Sequence, residues 1–124
     1  MGQTYTVEAK LNFKDNDSHP FCSTIKREIY ERDGVSAEFN LEAGDLNTVD
    51  GCLKILTSED GFYDMDGIWC ADFDGSYGWE FVMLRIFETA AKTLDDKSEI
   101  VIYPDSGYHK IMVKNGKVII RESD

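Results

Sequence analysis

Basic residues are nearly missing from the middle of this chain. Between residues 33 and 84 there is one, Lys54, against twelve Asp and Glu. Residues 1–32 carry five acids and five bases, and residues 85–124 carry seven of each, so the middle accounts for the whole net charge of −11. Binding to nucleic acid through phosphates needs clustered Lys and Arg, and this chain offers none in sequence. No direct nucleic-acid contact is expected.

Other absences narrow the chemistry further. The three cysteines, Cys22, Cys52 and Cys70, are odd in number, widely spaced and form no CxxC pair, which excludes a zinc ribbon or a dithiol redox motif. They are expected to be small apolar side chains in a reducing cytoplasm. The acids near Cys52 and Cys70 oppose a lowered thiol pKa. The two histidines, His19 and His109, stand too far apart in sequence to suggest a dyad. Residues 75–78, GSYG, contain neither the G-x-S-x-G nucleophile elbow nor the GK[ST] of a phosphate loop. No apolar run reaches eighteen residues, so no membrane span is expected. The start, MGQTYTVEAK, lacks a basic segment followed by an apolar one, so no secretory signal is read there. The expectation is a cytoplasmic, non-catalytic chain without a cofactor.

What is present has the makings of one globular domain over residues 1–124. Hydrophobic residues at 42% and charged residues at 30% place the chain outside the disordered class. In TYTVEAKLNF (4–13), Tyr5, Val7, Ala9, Leu11 and Phe13 alternate with polar residues, the period of a half-buried strand. Pro20 suits the first turn of a helix capped by Ser18 or His19, and Phe21, Cys22, Ile25, Ile29 and Tyr30 continue at helical spacing until Asp33-Gly34. VSAEFNLE (35–42) alternates again and predicts a second strand.

A short helix is predicted over about 46–57, capped by Asp45 or Asn47, with Gly51 an awkward residue inside it. GIWCADFD predicts a third strand. YGWEFVMLRIFETAAKTL then carries the longest apolar stripe in the chain: Trp79, Val82, Met83, Ile86, Phe87, Ala90, Ala91 and Leu94. The last third alternates in three runs, with Pro104-Asp105-Ser106-Gly107 and Asn115-Gly116 as turns, the second a type I′ hairpin signal. The predicted fold is α+β. It is a two-layer sandwich with a mostly antiparallel sheet of about five to six strands, about three helices on one face, and a C-terminal meander.

Residues 59–80, EDGFYDMDGIWCADFDGSYGWE, hold seven carboxylates (Glu59, Asp60, Asp64, Asp66, Asp72, Asp74 and Glu80) and no base. An EF-hand loop fails in both frames, because Ile68 or Ser76 stands at the fifth position of the loop. Asp64, Asp66, Asp72 and Asp74 remain the candidates for a looser divalent-cation site. The competing reading is that Asp-Gly pairs here are turn chemistry. Seven of the fifteen aromatics fall between Phe62 and Phe81. Phe62 and Tyr63, in an expected loop, are the best placed for an exposed contact.

Three function classes stay open. The first is a non-catalytic acidic binding protein that engages a basic protein partner: an inhibitor or nucleic-acid mimic of the phage or mobile-element anti-defence type, or a toxin immunity protein. Its expected surface is Glu59, Asp60, Phe62, Tyr63, Asp64, Asp66, Asp72, Asp74 and Glu80. The second is an accessory domain whose acidity serves solubility alone. The third is a small metal-dependent binder or enzyme built on the four aspartates. A homodimer through an open strand edge is a further expectation.

Overall fold

A computed structural model describes residues 4–13, 19–30, 39, 41–42, 44–56, 61–76, 80–104 and 107–123. The elements are β1 (Thr4–Leu11), α1 (His19–Tyr30), α2 (Val49–Leu56), β2 (Phe62–Tyr63), β3 (Trp69–Ser76), α3 (Glu80–Ala90), β4 (Glu99–Tyr103), β5 (Tyr108–Lys114) and β6 (Lys117–Ser123). A 3₁₀ turn, Ala91–Thr93, extends α3. The strands form one antiparallel sheet in the order β2-β3-β1-β4-β5-β6. The architecture is the predicted α+β sandwich with a C-terminal meander.

The alternation of β1 decides which side of the sheet is dry. Tyr5, Val7, Ala9 and Leu11 are buried, and Glu8 and Lys10 are exposed. Val7 pairs with Phe73 on one side and Ile102 on the other, both buried. Phe21, Ile25 and Ile29 of α1 and Met83, Ile86, Phe87 and Ala90 of α3 join the same core. Below the helices, Leu94 bridges to Phe13. There a polar clamp closes the end of β1. Asn12 N–H donates to Ser98 Oγ at 2.9 Å, Ser98 Oγ–H donates back to Asn12 O at 3.3 Å, and Asp95 N–H donates to Asn12 O at 2.8 Å. Ser98 is thus buried without losing its partners. The β5–β6 turn is as predicted, with Asn115 and Gly116 both in the left-handed region, at φ 54° and 75°.

Two elements differ from the sequence reading. The strand expected over 35–42 lies partly outside the described residues. Where it is described, Phe39 is in a bend and Leu41 and Glu42 are in a turn. Phe39 and Leu41 still pack against the core, so the alternation there reports burial without strand pairing. The sixth strand is instead the two-residue β2, in a segment read as loop. The expected helix stops Ser18 and Asp33-Gly34, and the aromatics Tyr77 and Trp79, lie outside the described residues.

The α2 cap also differs. Thr48, not Asp45 or Asn47, takes the N-cap: Gly51 N–H donates to Thr48 Oγ1 at 3.0 Å, and Cys52 N–H donates to Thr48 O at 2.9 Å. Asp45 forms the turn before it, accepting from Asn47 N–H at 2.9 Å. The tight approach of that turn explains the glycine inside the helix. A Cβ at Gly51 would lie 1.9 Å from Asp45 O, a backbone atom.

Two stability outcomes are expected. Thr48→Ala lowers the unfolding free energy by about 1 kcal/mol in urea titration, while Asn47→Ala leaves it nearly unchanged. Gly51→Ala destabilises the protein, although alanine gains about 1 kcal/mol over glycine in an open helix interior, because the Asp45 backbone must move. A more stable Gly51→Ala protein would refute the close approach.

Candidate functional site

Within the acidic segment, residues 61–76 fold as a hairpin hung from one tryptophan. Trp69 is 1% exposed. Its indole Nε1–H donates to Asp50 Oδ1 at 3.2 Å, and the Tyr63 ring meets it edge-on at 6.5 Å. Gly61 lies flat against the indole, where a Cβ would overlap the ring. This contact lets a strand of only two residues hold its place at the sheet edge. The turn itself is built by Asp64. Its Oδ1 accepts from Asp66 N–H at 2.8 Å and Ile68 N–H at 2.9 Å, and its carbonyl accepts from Gly67 N–H at 3.1 Å. Gly67 follows at φ 79°, where glycine has no steric penalty.

This geometry drives three apolar side chains outward. Phe62 is 64% exposed and Tyr63 59%, and Met65 at the apex is fully exposed. Phe62 pairs with Cys70 on the uncovered side of the sheet, and Tyr63 pairs with Trp69 on the helix side. Burial first, and then the nearby Asp50 carboxylate, raise the Tyr63 phenol pKa, so the hydroxyl stays a donor. Carboxylates surround the hairpin. Asp45 and Asp50 are exposed at the start of α2, Asp66 is exposed in the turn, and Asp72 and Asp74 are exposed on β3. Asp74 Oδ1 accepts from Thr6 Oγ1–H at 2.8 Å.

The structure therefore places Phe62, Tyr63, Asp64 and Asp66 in one hairpin and Asp72 and Asp74 on the strand that follows it. Glu59 and Asp60 lie outside the described residues, as does the side chain of Glu80, which opens α3. Phe73 and Trp69 belong to the core, and Phe81 is 65% exposed beside the His109 ring. Sequence reasoning missed four contributors. Met65 was legible in principle, since the middle of a tight turn cannot be buried. Asp50 joins the hairpin through its bond to the Trp69 indole, Glu8 lies directly opposite Asp72, and Asp45 stays in the turn before α2, against Gly51.

Several chemistries find little support in this geometry. Among the described residues, no three His, Cys, Asp or Glu side chains are grouped to hold a metal ion. Asp64 Oδ1 is already committed to two backbone N–H groups. Cys22 and Cys52 are buried free thiols, and Cys52 Sγ–H donates to Leu46 O at 3.3 Å. The neighbouring Cys22 thiol, burial and the charge of Asp45 push the Cys52 thiol far above the ordinary range. Cys70, expected to be buried, is half-buried on the uncovered side of β3; desolvation and Asp64 raise its pKa, and Lys10 lowers it. Neither shifted thiol is activated as a nucleophile. His109 Nδ1 stands 3.2 Å from Glu122 Oε1 but out of line for a hydrogen bond. A hollow of about 510 Å³ on α1 is bordered by Ser23, Lys26, Arg27 and Tyr30, with no carboxylate among them, so the acidic cluster does not line it. No helix among the described residues is long and apolar enough to cross a membrane.

No protein-family model, curated protein or solved structure matches the chain. The site must be judged on its own geometry.

Phe62→Ala is expected to leave the unfolding free energy within about 0.5 kcal/mol of the parent, because the ring is outside the core. Loss of the fold would place Phe62 in the core instead. Millimolar Ca²⁺ or Mg²⁺ is expected to leave the melting temperature unchanged. A rise that Asp72→Asn or Asp74→Asn abolishes would restore the cation site.

Proposed function

We propose that this chain is a non-catalytic binding protein whose β2–β3 hairpin docks on a basic protein partner. The observation that carries the reading is the exposure of three large apolar side chains on one short hairpin, Phe62 on the uncovered side, Tyr63 on the helix side and Met65 at the apex, with the carboxylates of Asp50, Asp64 and Asp66 beside them. Apolar anchors ringed by charge are how interface hot spots are built: the anchors give residence time, and the charges steer encounter and exclude wrong partners. An acidity that served solubility alone would not need three large apolar groups raised at its centre.

The partner class follows from the charge. A nucleic-acid enzyme with an electropositive groove, or a basic toxin, presents the surface that fixed carboxylates complement. In the first case the protein acts as an inhibitor that imitates phosphates, as in phage or mobile-element anti-defence; in the second it acts as an immunity protein. Asp45, Asp50 and Asp64 are held by local hydrogen bonds, so less side-chain entropy is lost on docking.

The test is capture from a cytoplasmic extract on immobilised protein at low salt, followed by elution with rising salt. A basic protein is expected to elute, and the Phe62→Ala/Met65→Ala double variant is expected to hold it roughly tenfold or more weakly while staying folded. Competition by a polyanion would identify a phosphate-binding groove. Equal capture by parent and double variant would refute the hairpin as the docking element.

A further inference from the structure

The sheet has a second face, opposite the helices, where the charges of one row are sorted; in the next row Lys10 is a base on the acidic side and Glu99 an acid on the central strand. Across five strands, one row of facing residues reads Asp72 (β3), Glu8 (β1), Val101 (β4), Lys110 (β5) and Arg121 (β6). The acids lie on one side of Val101 and the bases on the other. Asp74 extends the acidic half, and Lys114 and Lys117, paired with each other, extend the basic half. The C-terminal third is neutral in composition, yet β5 and β6 turn four bases to this face. Glu122 pairs with His109 on the other face.

This arrangement is unfavourable within one molecule. Like charges directly opposite each other on neighbouring strands are destabilising. The row contains two such pairs, Glu8 with Asp72 and Lys110 with Arg121, and Lys114 with Lys117 is a third. Glu99 on β4 is the acid these bases share on this face: Lys110 reaches it at 3.6 Å, and Lys10 lies directly opposite it on β1. Between the charged halves lies apolar surface. Val101 itself is already covered within the molecule, at 4% exposure, so the surface is that of Tyr103, Tyr108, Met112 and Ile119 around it, partly or well exposed.

We propose that this face binds a second copy of the same chain, with a two-fold axis running along β4 through Val101. Such an axis in the interface plane sets each strand against its mirror position: β3 faces the copy's β6, and β1 faces its β5. Asp72 and Glu8 then meet Arg121 and Lys110, and by symmetry the reverse pairing forms on the other side. The neighbouring row, Cys70, Lys10, Glu99, Met112 and Ile119, sets Cys70 against Ile119, the Lys10 stem against Met112, and Glu99 against its own copy, a like-charge contact with Lys10 of each chain alongside. Tyr103 meets its own copy. Two sheets packed this way sit about 10 Å apart.

A single complementary row centred on an apolar residue is what an isologous interface requires. A polyanion would satisfy the basic half but meet the acidic half with repulsion. The face spans roughly 20 Å by 20 Å by standard strand spacings, about 400 Å² a side, which is below the range of stable interfaces. The dimer is therefore weak, concentration-dependent and salt-sensitive. It does not depend on the reading of the hairpin, although Phe62, paired with Cys70, lies at the edge of this face.

Sedimentation equilibrium on three proteins tests it. The parent is expected to dimerise at low salt, with affinity falling roughly tenfold or more at high salt. The variant Glu8→Lys/Asp72→Lys has an all-basic row, and Lys110→Glu/Arg121→Glu an all-acidic one. Each alone is expected to be a folded monomer by sedimentation and circular dichroism, and their equimolar mixture to form a heterodimer. The mixture keeps the test valid, because two misfolded variants would not restore each other. A parent that stays monomeric at high concentration would overturn the proposal. So would a dimer that survives in both variants, since that would place the contact at the open edge of β6. Failure of the mixture to associate would also overturn it.

Discussion

The structure depends on the one-sided burial of β1. It is the strand with long partners on both sides, β3 and β4, so the parity of its residues sets the parity of the sheet. Val7 and Leu11 must face the helices. A slip of one residue would carry both into water and bring Glu8 and Lys10 into the core. Once Val7 is fixed, Phe73 and Ile102 follow it inward, and Asp72, Asp74 and Val101 are turned outward. The position of every acid on β3 is thus a consequence of apolar burial on β1. No attraction among the acids is needed to gather them.

Local patterns made much of this legible. The alternation at 4–13, the stripe from Val82 to Leu94 and Asn115-Gly116 each report a structure set by nearby residues. They predicted β1, α3 and the β5–β6 hairpin. The failures came where distant groups decide. Alternation at Phe39 and Leu41 meant packing against the core from a bend and a turn. Gly51 looked like a helix breaker until the Asp45 backbone came against it. β2 was invisible because two residues carry no period, and it exists through Trp69. Aspartate before glycine was rightly read as turn chemistry at Asp64, yet composition could not show that Asp50 would end at the Trp69 indole.

Charge counting had a similar blind spot. It registered the acidic middle and passed over the neutral ends. In the fold, Glu8 from one neutral end completes the acidic half of the uncovered face, and four bases from the other complete the basic half. Strand alternation had already assigned each to an outward position, but which strands would be neighbours is a question of topology. The carboxylates of the β2–β3 edge have two roles at once. Asp45, Asp50, Asp64 and Asp74 hold turns, an indole and a hydroxyl in place, and the same bonds fix their charges in space.

The suspension of β2 from Trp69 separates stability from recognition. Every contact that secures the hairpin lies at its base or in the Asp64 turn: the indole, Gly61, Asp50 and the turn hydrogen bonds. Positions 62, 65 and 66 at the outer side share none of that work. Under mutation, those three positions form a neutral space on a fixed scaffold, where side chains can be exchanged freely while the fold persists. A lineage carrying this architecture can follow a changing partner by substitution at the tip, with the core sequence held constant.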